Sequence, residues 1–248
     1  MSHLLFHVYS AAIFYTFELL KLILALLLLF TISGFSQDAY LEGKKLYEQG
    51  RFKQAKSVLE PYAAKHPNHV GTLSLLGEIA AEEKKWPVSM EYFAKLRKLK
   101  PAVADYHYKY GGAMGMVAKE SNKFKALGLI DDIRSAFEHA IELDPRHIGA
   151  HWALIEFNLQ LPSFAGGSTK KARYYADRLL NISPVDGYLA KGRIAEDQRQ
   201  NREAEAYFKK ALSVGNSKTT YLRLAEFYTK SNQPEKAKSI MEAYEKLK

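Results

Sequence analysis

Two histidines four residues apart, His147 and His151, are the first candidates for chemistry, because on a helix they share a face as metal ligands do. No third ligand accompanies them, and His147 falls at a loop-to-helix junction, so the pattern predicts no metal. His66 and His69, in the string HPNH, sit among turn residues and are expected to be solvated. Asp131 and Asp132 are adjacent, which points their carboxylates apart on a helix and rules out a working acid–base pair. GGSTKK, at 166–171, lacks both the Gly-Lys-Ser/Thr order and the preceding strand of a phosphate-binding loop. No GxSxG, HExxH or dinucleotide-type glycine pattern occurs. The chain has no cysteine, which removes thiolate chemistry, disulfides and a lipid-modified cysteine. The residues therefore point to no catalytic group, no metal and no cofactor, and the chain is expected not to be an enzyme.

The elements that would carry any site must then be read from the rest of the 248 residues. Hydrophobic content is 47%, and sixteen tyrosines and thirteen phenylalanines supply large side chains for a core. The formal charge is +9, but the 36 basic and 27 acidic residues are mostly interleaved, as in EQGRFKQAK. Interleaving suits solvated helix faces rather than a nucleic-acid stripe, and no nucleic-acid module is recognisable. Nucleic acid is therefore not an expected partner.

Residues 22–32, LILALLLLFTI, follow Lys21 and precede SGFSQ, the layout of a secretory signal peptide. Gly34 and Ser36 stand where a signal peptidase reads small residues, so cleavage before Gln37 is expected and the domains divide as 1–36 and 37–248. Eleven apolar residues are too few to span a bilayer, which takes about twenty. A second apolar stretch at 4–17 leaves an alternative, an uncleaved anchor in the inner membrane, but Glu18 and Lys21 would then lie at membrane depth at a cost of several kcal/mol. Export to the periplasm or outside the cell is the expectation, with membrane contact only through a retained N-terminal segment.

Beyond residue 37 the chain repeats itself. Pro67, Pro101, Pro145 and Pro184 fall at spacings of 34, 44 and 39 in similar settings. Upstream of them a small residue recurs four positions before a large apolar one, as in Ala55 and Leu59, Ser89 and Phe93, Ala204 and Phe208, and Ala237 and Met241. Earlier still come Leu73, Leu76, Gly77 and Ala80, echoed by His107, Tyr110 and Gly111, by Tyr188 and Gly192, and by Tyr221, Leu224, Ala225 and Tyr228. These three features in phase resemble the tetratricopeptide-repeat (TPR) family over about 38–248, in six units. Ile155 and Lys191 depart from the pattern, in a small and an apolar position respectively.

The resemblance implies an all-α fold, a TPR-type right-handed α-solenoid of about six helix pairs whose concave face is lined by the first helix of each pair. The physics agrees, since each pair has an apolar stripe that only stacking on a neighbour buries. Counted in the repeat phase, the inward positions are Tyr40, Lys44, Tyr47, Glu78, Tyr108, Trp152, Glu156, Arg193, Glu196 and Glu226. Aromatic groups with scattered charges suit recognition of a protein or peptide segment. The Lys and Asn set with which the family clamps acidic peptide tails is absent.

The longer proline spacings place insertions near 117–132 and 161–168. In the second, Pro162 stops a helix, Gly166 and Gly167 allow left-handed backbone, and Ser168 caps the next helix. This PxxxGGS string is similar to one in exported repeat proteins, including periplasmic subunits associated with TRAP transporters. Gly111, Gly112 and Gly115 precede the first insertion and predict close approach of another helix or a ligand. The leading reading is thus a non-catalytic interaction scaffold of the cell envelope. The alternative is a periplasmic small-ligand binding protein with a pocket near the insertions.

Overall fold

The computed structural model describes Lys21 and residues 39–247, and among these there is helix and connection but no strand. The helices are α1 (39–48), α2 (Phe52–Lys65), α3 (Val70–Glu82), α4 (Trp86–Leu99), α5 (Ala104–Lys119), α6 (Lys123–Leu143), α7 (Ile148–Gln160), α8 (Thr169–Ile182), α9 (Pro184–Asp197), α10 (Asn201–Gly215), α11 (Lys218–Lys230) and α12 (Pro234–Glu245). They form two compact units, one ending at Glu83 and one beginning at Lys84. The leader expected over 1–36 lies outside the described residues, Lys21 apart. Among the described residues no helix is long and apolar enough to cross a membrane.

The helix boundaries follow from local chemistry. Side chains of His69, Asn122, His147, Ser168, Ser183 and Ser217 each accept a backbone N–H in the first turn of α3, α6, α7, α8, α9 and α11. The turns out of α1, α3, α9 and α11 share one device, a single residue with left-handed backbone: Gly50, Lys84, Arg199 and Asn232. That tight turn brings the next helix straight back. The turn out of α5 lacks it, and the turn out of α7 has it only within a longer loop, at Gly166; these are the two places where the spacing is stretched.

The small residues of the repeat have a direct physical reason. A Cβ at Gly192 would lie 2.6 Å from the ring of Phe208, and one at Gly111 would lie 2.9 Å from the ring of Phe137. Gly43 stands in the same relation to Leu59 within the first unit. Each bulky side chain of a second helix thus lies flat on a bare stretch of its own first helix, as ridges pack into grooves. Ala55, Ala172, Ala176, Ala204 and Ala211 are fully enclosed, which is what a close helix approach requires. In the second unit each helix packs on the next in sequence, and the first helices also touch one another: α5 on α7, α7 on α9, α9 on α11. This is the helix-pair solenoid expected from the repeat.

The two insertions are built differently. The stretch at 117–132 is absorbed as helix: α5 runs on to Lys119 and α6 is 21 residues long, so only three residues connect them. Gly111 does meet a neighbouring helix, but Gly112 and Gly115 face open space, contrary to the expected close approach at all three. The stretch at 161–168 is a true loop. Pro162 leads into a short 3-10 turn, Ser163–Ala165, and Gly166 takes φ +92°. Gly167 passes so close to the carbonyl of Leu161 that no side chain fits. Ser168 then accepts the N–H of Lys171 and opens α8. The loop behaves as its residue types require.

Candidate functional site

The chemistry considered at the histidines resolves into structure. His147 Nδ1 accepts the N–H of Ala150, and fully buried His151 bonds through Nδ1 to the carbonyl of His147 at 3.0 Å. Among the described residues no three His, Asp or Glu side chains group as metal ligands. HPNH is a turn, as expected, with Pro67 and Asn68 exposed, but its two histidines are half-buried. His69 is half-buried, its Nδ1 caps α3, and its ring meets Tyr40 (centroids 4.6 Å) and Tyr62 (5.2 Å) edge to face. Tyr62 also stacks on His66 at 4.5 Å. A turn histidine becomes core here because two tyrosines from α1 and α2 need a partner between them.

In the first unit the expected inward residues lie on α1 and α3. Tyr40 occupies the histidine cluster and leans on Gly71, so it is joint packing and not a free ligand platform. Tyr47 donates its hydroxyl to Glu78, and burial followed by that carboxylate pushes its pKa upward. Lys44 is exposed and pairs with Glu48 at 3.8 Å.

In the second unit the first-helix face runs over α5, α7, α9 and α11. Tyr108 is half-buried, its ring 4.9 Å from His147 and close over Gly149. Its pKa is raised by burial, then by Asp105. Trp152 packs against the clusters around Ile155 and Leu224, and its indole N–H donates to Asp186 at 2.9 Å. Glu156 accepts from Arg193 at 3.0 Å, and Arg193 reaches Asp197 at 3.4 Å. Glu196 pairs with Lys230 at 3.3 Å, and exposed Glu226 pairs with Arg223 at 2.9 Å. The site residues on α7 and α9 are therefore joined one repeat to the next, whereas Tyr40, Lys44, Tyr47 and Glu78 form a separate group in the first unit. Asp186 and Lys230 are missing from the sequence-based set, although each stands 34 positions after its partner, the length of one repeat.

Among the described residues, the clefts of the second unit include two between helices. One of about 350 Å³ is lined by Arg97, His107, Tyr110, Asp132, Ser135 and His139. The other, about 160 Å³, has Lys191 on Asp177 at 2.6 Å with Arg173, Glu203 and Tyr207 around it. Both have polar walls, and neither is rimmed by Gly166 or Gly167, where a ligand pocket was the alternative expectation.

Comparison with known proteins follows this geometry. A tetratricopeptide-repeat model matches residues 40–111, and a second matches 185–214. Human protein O-mannosyl-transferase TMTC3 is 25% identical over 200 residues, 78% of this chain but 20% of that protein, so the chain spans about a fifth of the curated relative's length. Among solved structures, a thermophilic TPR protein of Thermus thermophilus superposes with TM-score 0.64 at 17% identity, over 78% of this chain and 99% of that one. PilW, described as a type IV pilus biogenesis factor, gives 0.62 at 17% identity, over 83% and 90%. MamA gives 0.56 at 24% identity, over 76% and 96%. At these identities the likeness is one of fold. The chain thus carries tetratricopeptide repeats at 40–111 and 185–214, within an all-α solenoid of the TPR type.

Proposed function

We propose that this chain is a non-catalytic interaction scaffold of the cell envelope, which receives an extended or helical segment of a partner protein along the face made by α5, α7, α9 and α11. One observation carries the reading. The bonds that run along these first helices engage six carboxylates, Asp105, Glu156, Asp186, Glu196, Asp197 and Glu226, and four cations, Lys109, Arg193, Arg223 and Lys230, in a chain whose formal charge is +9. A surface of that balance, with half-buried Tyr108 and Trp152 beside it, favours a neutral or basic segment with aromatic or aliphatic anchors. Export is supported by the Lys21, 22–32 and Gly34–Ser36 pattern. Selection of displayed random peptides on the purified protein tests the partner chemistry. Enrichment of aromatic or aliphatic residues with few acids supports the proposal; enrichment of acidic peptides, or of none, contradicts it.

A further inference from the structure

Phe124 and Phe164 are 88% and 86% exposed, the two most solvent-open large apolar side chains among the described residues. Both belong to insertions, Phe124 to the first turn of α6 and Phe164 to the loop between α7 and α8. The helix that absorbs the first insertion touches the loop of the second. The guanidinium of Arg134, on α6, lies against Gly166 of the loop and over the ring of Phe157 on α7. From there α6 continues ten residues back to Phe124, about 15 Å beyond the level of the loop. Leu127, 51% exposed, extends the apolar strip one turn along α6.

Charge collects at the same edge. Short of Asp131 and Asp132 further along α6, residues 117–128 and 161–173 contain Lys119, Lys123, Lys125, Lys170, Lys171 and Arg173, with Glu120 as the sole acid, a net charge of +5. That acid is engaged by the indole N–H of Trp86 at 2.8 Å. None of the five lysines has an ion-pair partner among the described residues. Some lysines elsewhere are paired, as in Lys109 with Asp105, Lys191 with Asp177 and Lys209 with Glu205. Cations without ion pairs around exposed aromatic rings are poorly suited to a protein pocket, which would enclose the rings. They match a fluid anionic interface, where rings enter the acyl boundary and ammonium groups remain among headgroups.

We infer that this edge, the start of α6 with the α7–α8 loop, docks on a bilayer surface bearing anionic lipid headgroups. The solenoid then stands with one rim on the membrane and its first-helix face free beside it. The absence of native cysteine makes the test local. Full-length protein carrying Phe124→Cys, Phe164→Cys or, as an outer control on α10, Ser213→Cys is labelled with an environment-sensitive fluorophore and mixed with phosphatidylcholine vesicles with or without phosphatidylglycerol. The inference predicts a blue shift and bilayer-depth quenching at 124 and 164 only, with anionic vesicles only, reversed by high salt. In the labelled Phe164→Cys protein, Lys123→Glu, Lys125→Glu, Lys170→Glu and Lys171→Glu together should lower partitioning at least about tenfold. Unshifted labels at 124 and 164, equal shifts at all three positions, partitioning unchanged by the glutamates, or a response to an oligonucleotide or polyglutamate but not to vesicles would each overturn it.

Discussion

The indole nitrogen of Trp152 and the carboxylate of Asp186 meet at 2.9 Å across one repeat, tying the middle of α7 to the first turn of α9. Asp186 also accepts the Ser183 hydroxyl at 2.6 Å, so the carboxylate holds a helix start and a neighbouring helix together. Trp152→Phe keeps most of the buried ring but loses the donor, and should cost about 1 kcal/mol in urea unfolding. Trp152→Ala should cost about 3 kcal/mol or more, because the ring packs on two core clusters. Equal midpoints for the two variants would show that the bond, not the ring, joins the repeats.

Glycines in the same helix should behave oppositely. At Gly111 a Cβ meets Phe137 and Ala136, both buried, so Gly111→Ala should destabilise by about 1–3 kcal/mol. Gly112 has nothing within 4 Å, so Gly112→Ala should stabilise by about 0.5–1 kcal/mol. Chemical denaturation of the pair gives the sign of each, and a loss at Gly112 would count against the described packing of α5.

Acid should weaken the fold in two steps. Burial lowers the His151 pKa below 6.5; its bond to the His147 carbonyl opposes this, and the nearby Arg178 charge adds to the lowering. The unfolded chain then takes up that proton first, so stability falls as pH drops below about 6.5. Glu205 is depressed below 4.5 by Lys209, then by the Tyr228 hydroxyl, so its contribution is present above 4.5 and lost as pH falls through the folded value. Thermal unfolding against pH should show a smaller first step in His151→Leu, the remainder coming from His69 and His107, which burial also lowers, and a smaller second step in Glu205→Gln. Unaltered profiles would contradict these assignments.

Much of the scaffold was legible in the residues because packing in a solenoid is local. Small residues at Gly43, Gly111 and Gly192 and large ones at Leu59, Phe137 and Phe208 meet within one helix pair, so phase alone locates them. The loop at 162–168 was legible for a similar reason: Pro162, Gly166 and Ser168 each act on backbone within a few residues. Side-chain partners one repeat away were not. That Glu196 meets Lys230 and Trp152 meets Asp186 depends on how neighbouring first helices lie together. HPNH misled because composition marks a turn but does not reveal that Tyr40 and Tyr62 close over it. The length of α6 was hidden too, since an insertion read from spacing can be taken up by helix as readily as by loop.

The loop offers a check of its own geometry. Gly166 holds φ +92°, so Gly166→Ala should cost about 1 kcal/mol, while Gly167→Ala should cost more because the obstacle is the Leu161 backbone. Differential scanning calorimetry reads both. If the two variants melt with the parent chain, the loop is not held as described.

The central claim, a partner segment on the first-helix face, is tested most directly by photo-crosslinking in cells. A benzophenone amino acid at Glu156 or Glu226, on the proposed face, is compared with one at Ser57 or Ser213, on the exposed sides of α2 and α10. The account predicts a discrete crosslinked partner from 156 and 226 and none from 57 and 213, with the crosslinked peptide poor in acidic residues. Crosslinks only from 57 and 213, or an acidic peptide at 156 and 226, would contradict it.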